Sequence, residues 1–271
     1  MSTLVRLLAA AALAYVAFTA LVWVLQRRMQ YLPDPRAPAL PGADAQAGLR
    51  ELELTTSDGL ELKAWYYPGT RPLAYLLLHG NAGQRGDRLP WIRALRATGA
   101  SVLALDYRGY GGSAGSPSEE GLVRDAEAAA RWLDEQHAGA QVYLGESLGS
   151  GVAVGLAARR PPAALVLVSA FPSLVPIARS AYPWLPVGLL MRDPFECASK
   201  LARLPVPVLF VHGAADSIVP VELGRALHDA AAGPKEWWSV PGADHNELPY
   251  ADLGAFIERL EAFVAREVTA R

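Results

Sequence analysis

The chain has 271 residues, a common length for one α/β domain, and its formal net charge is −2. No block of basic residues stands out, so the sequence lacks the electrostatic footprint of a nucleic-acid-binding protein and favours small or neutral ligands. Because Cys197 is the only cysteine and the five histidines are scattered, we expect no intramolecular disulfide, no metal and no other cofactor.

The first 30 residues differ in composition from the rest of the chain. From Leu7 to Leu25 the sequence LLAAAALAYVAFTALVWVL runs for 19 residues, and Thr19 is its only member outside the apolar set. That length is close to what a helix needs to cross the hydrocarbon core of a bilayer. We interpret residues 1–30 as an uncleaved transmembrane anchor.

A cleaved signal peptide and a soluble buried helix are the alternatives to an anchor. Signal peptides usually have a shorter apolar stretch and small residues before the cleavage site. Cuts after Ala17 or Ala20 would instead place Tyr15 or Phe18 at a position that should be small. A buried globular helix normally has a polar face, and this segment has none.

The charges that flank the apolar segment indicate an orientation. The positive-inside rule favours a cytoplasmic location for the domain that follows, because the positive charge is greater after the segment than before it. Arg6 and the terminal amine precede the segment, and three arginines follow it: Arg27, Arg28 and Arg36.

Residues 31–48 are predicted to be a proline-rich spacer, and residues 49–271 a single globular domain. The sequence PDPRAPALPG (33–42) cannot sustain a helix or a central strand, which indicates stiff, extended chain. LRELELTT (49–56) and LELKAWYY (60–67) both alternate between apolar and polar residues, and Ser-Asp-Gly between them suits a tight turn. We therefore expect an antiparallel hairpin at a sheet edge.

Continuous apolar runs then alternate with helix-length segments, the pattern of strands covered by helices on both faces. The predicted strands are AYLLLH (74–79), SVLALD (101–106), QVYLG (141–145), ALVLVS (164–169), PVLFVH (207–212) and EWWSV (236–240). They predict a doubly wound, mostly parallel α/β sheet with its ligand site beyond the carboxyl ends of the strands. The insertion at 171–203 is predicted to form a short cap. In the helical segment predicted at 119–136, Ser116 is the expected N-cap, Pro117 the first-turn proline and Glu119 the capping-box partner.

Two serines lie in a Gly-x-Ser-x-Gly pattern, Ser147 in GESLG and Ser113 in GGSAG. Ser147 directly follows a predicted strand and precedes the plausible helix LGSGVAVGLAARR. A sharp strand-to-helix turn strains its central residue and crowds the neighbours, which accounts for glycine on both sides. Ser113 lies several residues beyond its strand, and Ser116-Pro117 interrupts any helix after it. We predict that Ser147 is a nucleophile and that Ser113 is not.

A serine nucleophile needs a base to take its proton and an acid to orient that base. The chain order serine, acid, histidine leaves two histidines as candidates. His228 falls inside a predicted helix, whereas His245 lies in a loop at the predicted ligand-binding edge, so His245 is the predicted base. Asp216 follows the strand PVLFVH and is the predicted acid. Its rival Asp244 would struggle to reach the adjacent ring of His245 and is interpreted as a turn residue.

The chemistry also needs two backbone N–H donors for a developing oxyanion. We expect one from Leu148, the residue after the predicted nucleophile, and the other from Asn81 in the glycine turn HGNAG. His79 in the same turn is interpreted as a structural hydrogen-bonding residue.

The segments GESLGSG, HGNAG, DYRGYGGS, HGAADSIVP and GADHNEL together resemble the α/β-hydrolase superfamily over about residues 49–265. The likeness is strongest to membrane-anchored serine hydrolases with an HGN oxyanion loop, a group similar to protein depalmitoylases and serine aminopeptidase-like hydrolases. The resemblance implies an α/β-hydrolase fold and the same site residues, namely Ser147, Asp216, His245, Asn81 and Leu148. HGN in place of the HGGG of many lipases argues against a true lipase.

The cap sequence at 171–191 has Arg179 as its only charged residue before Arg192. Beside a membrane anchor, it suggests an acyl ester or thioester substrate, hydrolysed through an acyl-enzyme on Ser147. Packing of these apolar residues onto the sheet is the alternative to a substrate pocket. A peptidase for short peptides and a membrane-tethered binding module without catalysis also stay open as functions, and the sequence indicates no oligomeric state.

Overall fold

The computed structural model describes residues 2–248 and 250–269, and within them the chain forms ten strands and ten α-helices. The strands are β1 (Leu32–Pro33), β2 (Arg50–Thr55), β3 (Glu61–Tyr67), β4 (Leu73–Leu78), β5 (Ala82–Gly83), β6 (Ser101–Leu105), β7 (Ala140–Glu146), β8 (Ala164–Val168), β9 (Val208–Gly213) and β10 (Lys235–Val240). The helices are α1 (Thr3–Gln30), α2 (Gly42–Gln46), α3 (Leu89–Ala97), α4 (Glu119–Glu135), α5 (Leu148–Ala157), α6 (Leu174–Ala181), α7 (Val187–Leu190), α8 (Cys197–Leu201), α9 (Val221–Ala230) and α10 (Leu253–Val264).

Eight of these strands form one sheet in the order β10-β9-β8-β7-β4-β6-β3-β2. The six strands from β10 to β6 in this order are parallel, and β3 pairs antiparallel with both β2 and β6. The predicted parallel sheet and its antiparallel edge hairpin are therefore confirmed. The chain winds outwards from β4 in both directions, so the switch point of the sheet lies between β4 and β7.

The central strands are apolar throughout because both of their faces are covered. All six residues of β4 are buried. Leu76 and Leu78 face a cluster that includes Val152 of α5, whereas Tyr75 and Leu77 face the opposite cluster, which α3 and α10 cover. Side chains alternate along a strand, so a continuous apolar run is what two covered faces require.

The predicted N-cap of α4 is wrong by two residues, although the helix begins at Glu119 as expected. Ser118, and not Ser116, is the N-cap, and its hydroxyl accepts a hydrogen bond from the N–H of Gly121. The Glu119 carboxylate does not complete a capping box but accepts hydrogen bonds from the N–H of Phe195 and the ammonium of Lys200. The Glu119 side chain therefore bonds to the cap region and not to the first turn of its own helix.

The segment that the sequence assigns to a spacer packs along the domain surface. Tyr31 is 2% exposed, and β1 pairs in parallel with β5. The carboxylate of Asp44 is nearly buried and accepts two hydrogen bonds from Arg93, at 2.6 and 2.8 Å. Residues 31–48 therefore hold α1 close to the body of the domain.

Arg108 joins two carboxylates beneath the loop that follows β6. It contacts Asp125, whose side chain is fully buried, at 2.7 Å and Asp58 at 2.9 Å. Arg108→Ala leaves the Asp125 carboxylate buried without its main cationic partner, and we expect the free energy of unfolding to fall by about 3–5 kcal/mol. Urea unfolding of the purified protein measures this loss.

Arg124→Ala is the matched control for that experiment. The Arg124 side chain is 41% exposed and pairs with Glu120 and Asp58 at the surface, where ion pairs contribute about 0–1 kcal/mol. Equal losses of unfolding free energy in the two variants would show that the burial of Asp125 does not determine how much its ion pair with Arg108 stabilises the protein.

Candidate active site

Ser147 occupies the turn between β7 and α5. Its φ is 50°, in the left-handed region that non-glycine residues rarely adopt, and its N–H donates to the carbonyl of Val168 on the neighbouring strand at 2.8 Å. A Cβ atom at Gly145 would collide with the carbonyl of Gly149, and one at Gly149 would collide with the carbonyl of Leu78. Both flanking glycines are therefore required by the turn.

Three side chains from three loops meet at this turn. His245 Nε2 lies 3.0 Å from the Oγ atom of Ser147, and His245 Nδ1 lies 2.8 and 2.9 Å from the two carboxylate oxygens of Asp216. The residues follow β7, β9 and β10, whose carboxyl ends all lie at one edge of the parallel sheet. Asp216, His245 and Ser147 thus form one hydrogen-bonded chain, although the first two lie 69 and 98 positions after Ser147 in the sequence.

The surroundings of Asp216 determine which atom donates in each hydrogen bond from Asp216 through His245 to Ser147. Its side chain is fully buried, which by itself raises the pKa, but hydrogen bonds from His245 and from the N–H of Val219 outweigh burial and hold the pKa of Asp216 below its usual value. The carboxylate is therefore ionised at neutral pH and can only accept. His245 Nδ1 must carry the proton, which leaves Nε2 to accept from the hydroxyl of Ser147.

The rival residues lie elsewhere. Asp244 accepts from the backbone N–H groups of His245 and Ser217, each at 2.7 Å, and so stabilises the turn without contacting the imidazole nitrogens. The hydroxyl of Ser113 donates to the carbonyl of Asp106 at 2.8 Å, in the loop after β6. His228 lies on α9, where its ring contacts Asp229.

Asn81 and Leu148 both line the cavity that contains Ser147. Leu148 is the first residue of α5, so its N–H has no acceptor within the helix. The Asn81 side chain is used for anchoring, since its Nδ2 donates to the carbonyl of Gln30 at 2.6 Å. The hydroxyl of Tyr110 donates to the carbonyl of Asn81 at 3.0 Å. The loop after β4 is therefore held from two sides.

Glu146 and Arg88 belong to the site and were missed in the sequence. The Glu146 carboxylate accepts from Arg88 at 2.9 Å and from the N–H of Gly80 at 3.3 Å, so it ties the turn at Ser147 to the loop that carries Asn81. The position of Glu146 inside GESLG was a signal for it. Nothing in the sequence indicated its partner Arg88, which lies in the helical turn before α3.

His212 is a second imidazole beside the acid. Its Nε2 lies 2.9 Å from the carbonyl of Val219 and 3.4 Å from a carboxylate oxygen of Asp216, and its ring stacks on Trp237. Burial lowers the pKa of His212, so the ring is neutral and adds no positive charge next to Asp216. It is therefore a structural neighbour of the acid.

The space above Ser147 and His245 is a cavity of about 510 Å³ between the cap and α1. Its lining is mostly apolar and includes Ile177 and Leu185 of the cap and Val22 of α1. Among the residues that the structure describes, no group of three His, Cys, Asp or Glu side chains is placed to hold a metal ion. An organic ligand with an apolar part fits this lining.

Comparisons with known proteins identify one matching family model and several similar proteins. The family model described as serine aminopeptidase, S33, matches residues 73–194. An uncharacterized protein of Mycobacterium tuberculosis is 43% identical over 252 residues, which cover 90% of this chain and 88% of that protein. The lysophosphatidylserine lipase ABHD12 of Danio rerio is 34% identical over 211 residues, which cover 69% of this chain and 54% of the lipase.

The fold has close counterparts among solved structures. The esterase Pf2001 of Pyrococcus furiosus superimposes with a TM-score of 0.72, covering 88% of this chain and 97% of the esterase at 21% identity. The sheet order, the turn at Ser147 and these matches define an α/β hydrolase. The chain belongs to the α/β-hydrolase superfamily, as its motifs predicted.

The glycine requirement at the turn can be tested without an assay of activity. Gly149→Ala places a methyl group against the carbonyl of Leu78, and we expect the free energy of unfolding to fall by about 1–3 kcal/mol. Gly254→Ala is the matched control, because the nearest atom to its added Cβ lies at 3.8 Å and alanine favours a helix by up to about 1 kcal/mol. Thermal unfolding of both variants checks the difference, and an unchanged Gly149→Ala would contradict the close packing.

Proposed function

We propose that this hydrolase is a membrane-anchored serine hydrolase that cleaves carboxylic ester or thioester bonds through an acyl-enzyme on Ser147. The observation that carries the proposal is the continuous hydrogen-bonded chain from Asp216 through His245 to Ser147 at the floor of an apolar cavity. In this proposal residues 1–30 are the anchor, 31–48 the connecting segment and 49–271 the hydrolase domain with its cap at 171–203.

The first half-reaction acylates the enzyme. Ser147 Oγ attacks the carbonyl carbon of the substrate while its proton passes to His245 Nε2, and Asp216 stabilises the imidazolium that forms. The backbone N–H groups of Leu148 and Asn81 donate to the developing oxyanion, and each such donor typically lowers the barrier by about 3–4 kcal/mol. The bond to the alcohol or thiol then breaks, and the leaving group takes the proton from His245.

The second half-reaction returns the enzyme to its starting state. A water molecule gives a proton to His245 Nε2 and attacks the acyl carbon, with the same two N–H groups holding the oxyanion. The bond to Ser147 Oγ breaks, the serine regains its proton from His245, and a carboxylic acid leaves. Because one imidazole serves as base and acid in turn, no cofactor is needed.

The lining of the cavity and the names of similar proteins support an acyl substrate. The cap side of the cavity is apolar. The two charged residues in the lining, Arg88 and Glu146, form an ion pair, with Arg88 Nε 2.9 Å from Glu146 Oε2, so their charges cancel. The Danio rerio relative is named a lipase and the Pyrococcus furiosus structural neighbour an esterase. An ester, a thioester and an aminoacyl amide assayed side by side would distinguish this proposal from an aminopeptidase.

Removal of the nucleophile or the base tests the mechanism. We expect Ser147→Ala and His245→Ala each to lower turnover of a short p-nitrophenyl ester by more than about a thousandfold, because attack needs both groups. A fluorophosphonate should label the unmodified protein and leave Ser147→Ala unlabelled.

Ser113→Ala and His228→Ala are the matched controls. Ser113 lies in the second Gly-x-Ser-x-Gly pattern and His228 on α9, away from the cavity, so both variants should keep their turnover. Full activity in Ser147→Ala would exclude the proposed role of the serine, and full activity in His245→Ala would exclude that of the histidine.

The anchor proposal rests on α1, the one described helix that is long and apolar enough to cross a membrane. We propose that it stays attached and that the hydrolase domain lies on the cytoplasmic side, which the excess of positive charge after the helix favours. The mass of the protein isolated from membranes should therefore include residues 1–30.

The membrane side can be read from one introduced thiol. Asp229 is 78% exposed at its side chain, and in Asp229→Cys we expect a membrane-impermeant maleimide to react only after cells are permeabilised. The unmodified chain is the control, since Cys197 is fully buried and burial raises the pKa of its thiol to about 12. Labelling of Asp229→Cys in intact cells would place the domain on the outer side.

A further inference from the structure

The last turns of α1 are docked on the cap by specific polar contacts. The guanidinium of Arg27 donates two hydrogen bonds, at 2.7 and 3.0 Å, to Asp193, whose side chain is 4% exposed. Gln26 donates to the carbonyl of Leu190 and accepts from the N–H of Arg192. These bonds fix the last turns of α1 relative to the cap.

A second contact lies much further up the helix. The hydroxyl of Tyr15 donates to the carbonyl of Trp184 in the cap at 2.9 Å, and the rings of Phe18 and Trp184 lie 5.3 Å apart. Tyr15 precedes Leu25, the last residue of the apolar run, by ten residues, which is about 15 Å along a helix. If the apolar run of α1 crosses the hydrocarbon core, Trp184 reaches about half-way into it.

The part of the cap around residues 183–189 has a composition that suits the hydrocarbon core. Trp184 is 53% exposed and Leu189 is 89% exposed, although both are large apolar residues beside an apolar helix. Pro183 and Pro186 have no N–H to satisfy, and Tyr15 satisfies the carbonyl of Trp184. Lipid-exposed backbone is costly unless its polar groups are paired, so this composition favours contact with acyl chains.

The cavity above Ser147 connects these features to the reacting atoms. Val22, Trp23 and Met29 of α1 line it on one side, and Ile177 of the cap lines it on the other. The part of α1 that lines the cavity begins at Val22, inside the apolar run that ends at Leu25. The cavity therefore extends from Ser147 to the helix that we propose as the membrane anchor.

We propose that the last turns of α1 form one wall of the acyl-chain channel, and that the substrate enters from the adjoining leaflet with its acyl chain between α1 and the cap. This inference rests on the proposed function and adds the origin of the substrate, a membrane-resident amphiphile with a long acyl chain. The ester or thioester carbonyl lies at Ser147 and the leaving group lies towards Arg88 and Glu146, at the polar end of the cavity.

A matched pair of substitutions on α1 tests the wall. Val22 lines the cavity, whereas Val24 is 63% exposed and, at about 100° per residue, lies on the opposite side of the helix. We expect Val22→Trp in the full-length chain, reconstituted in phosphatidylcholine vesicles, to lower the ratio of kcat/KM for p-nitrophenyl palmitate to that for p-nitrophenyl butyrate by about tenfold or more. Val24→Trp should leave this ratio unchanged.

The outcomes separate the two proposals. An unchanged ratio in Val22→Trp, or equal changes in both variants, would overturn the channel wall while leaving the hydrolase proposal intact. Absence of Ser147-dependent turnover of the butyrate ester in the unmodified protein would instead overturn the proposed function. Thermal unfolding of both variants establishes that neither substitution disrupts the fold.

Tryptophan fluorescence measures independently how deeply the cap enters the bilayer. Vesicles with bromine on the lipid acyl chains should quench Trp184, so Trp184→Phe should lose a large part of the quenched emission. Trp132→Phe is the control, because Trp132 lies on α4 and packs on Tyr66 in the body of the domain. Equal quenching in the two variants and the unmodified protein would place the cap outside the hydrocarbon and overturn entry from the leaflet.

Discussion

The backbone conformation of Ser147 is the constraint on which the rest of the site depends. A left-handed conformation at a non-glycine residue costs about 1–3 kcal/mol and persists only when the surrounding packing enforces it. Here β7 and α5 enforce it, because α5 begins at the residue after Ser147 and lies so close to β4 that Gly149 touches the carbonyl of Leu78. The burial of α5 against the sheet offsets the strain, and the hydroxyl is held at the edge where the loops after β9 and β10 arrive.

Much of this arrangement could be predicted because it follows from local patterns and one rule of topology. Runs buried on both faces predicted the parallel strands, and glycines around Ser147 predicted the turn. Parallel strands deliver their following loops to the same edge, so residues after β9 and β10 were expected near Ser147 although they lie far along the chain. The structure brings Asp216 and His245 there, and their proposed catalytic roles rest on that placement.

The contacts that could not be predicted pair residues across long stretches without a periodic pattern. Glu146 and Arg88 are 58 positions apart, and nothing in either local sequence indicates the other. The motif DYRGYGGS was recognised only as part of a resemblance, yet Tyr107 and Tyr110 donate hydrogen bonds to the carbonyls of His79 and Asn81. The expected capping-box partner Glu119 likewise bonds residues more than 70 positions away, Phe195 and Lys200, which the local pattern did not indicate.

The asparagine of the HGN loop links α1 to the loop beside Ser147. The carbonyl of Gln30 belongs to the last turn of α1, where helix carbonyls lack partners within the helix, and Asn81 Nδ2 donates to it. The N–H of Leu32 donates to Asn81 Oδ1, so one side chain completes the end of α1 and fixes the loop beside Ser147. A glycine, as in an HGGG loop, would supply the same backbone N–H but no such link. In this chain the asparagine therefore joins the end of α1 to the loop beside Ser147, which a glycine could not do.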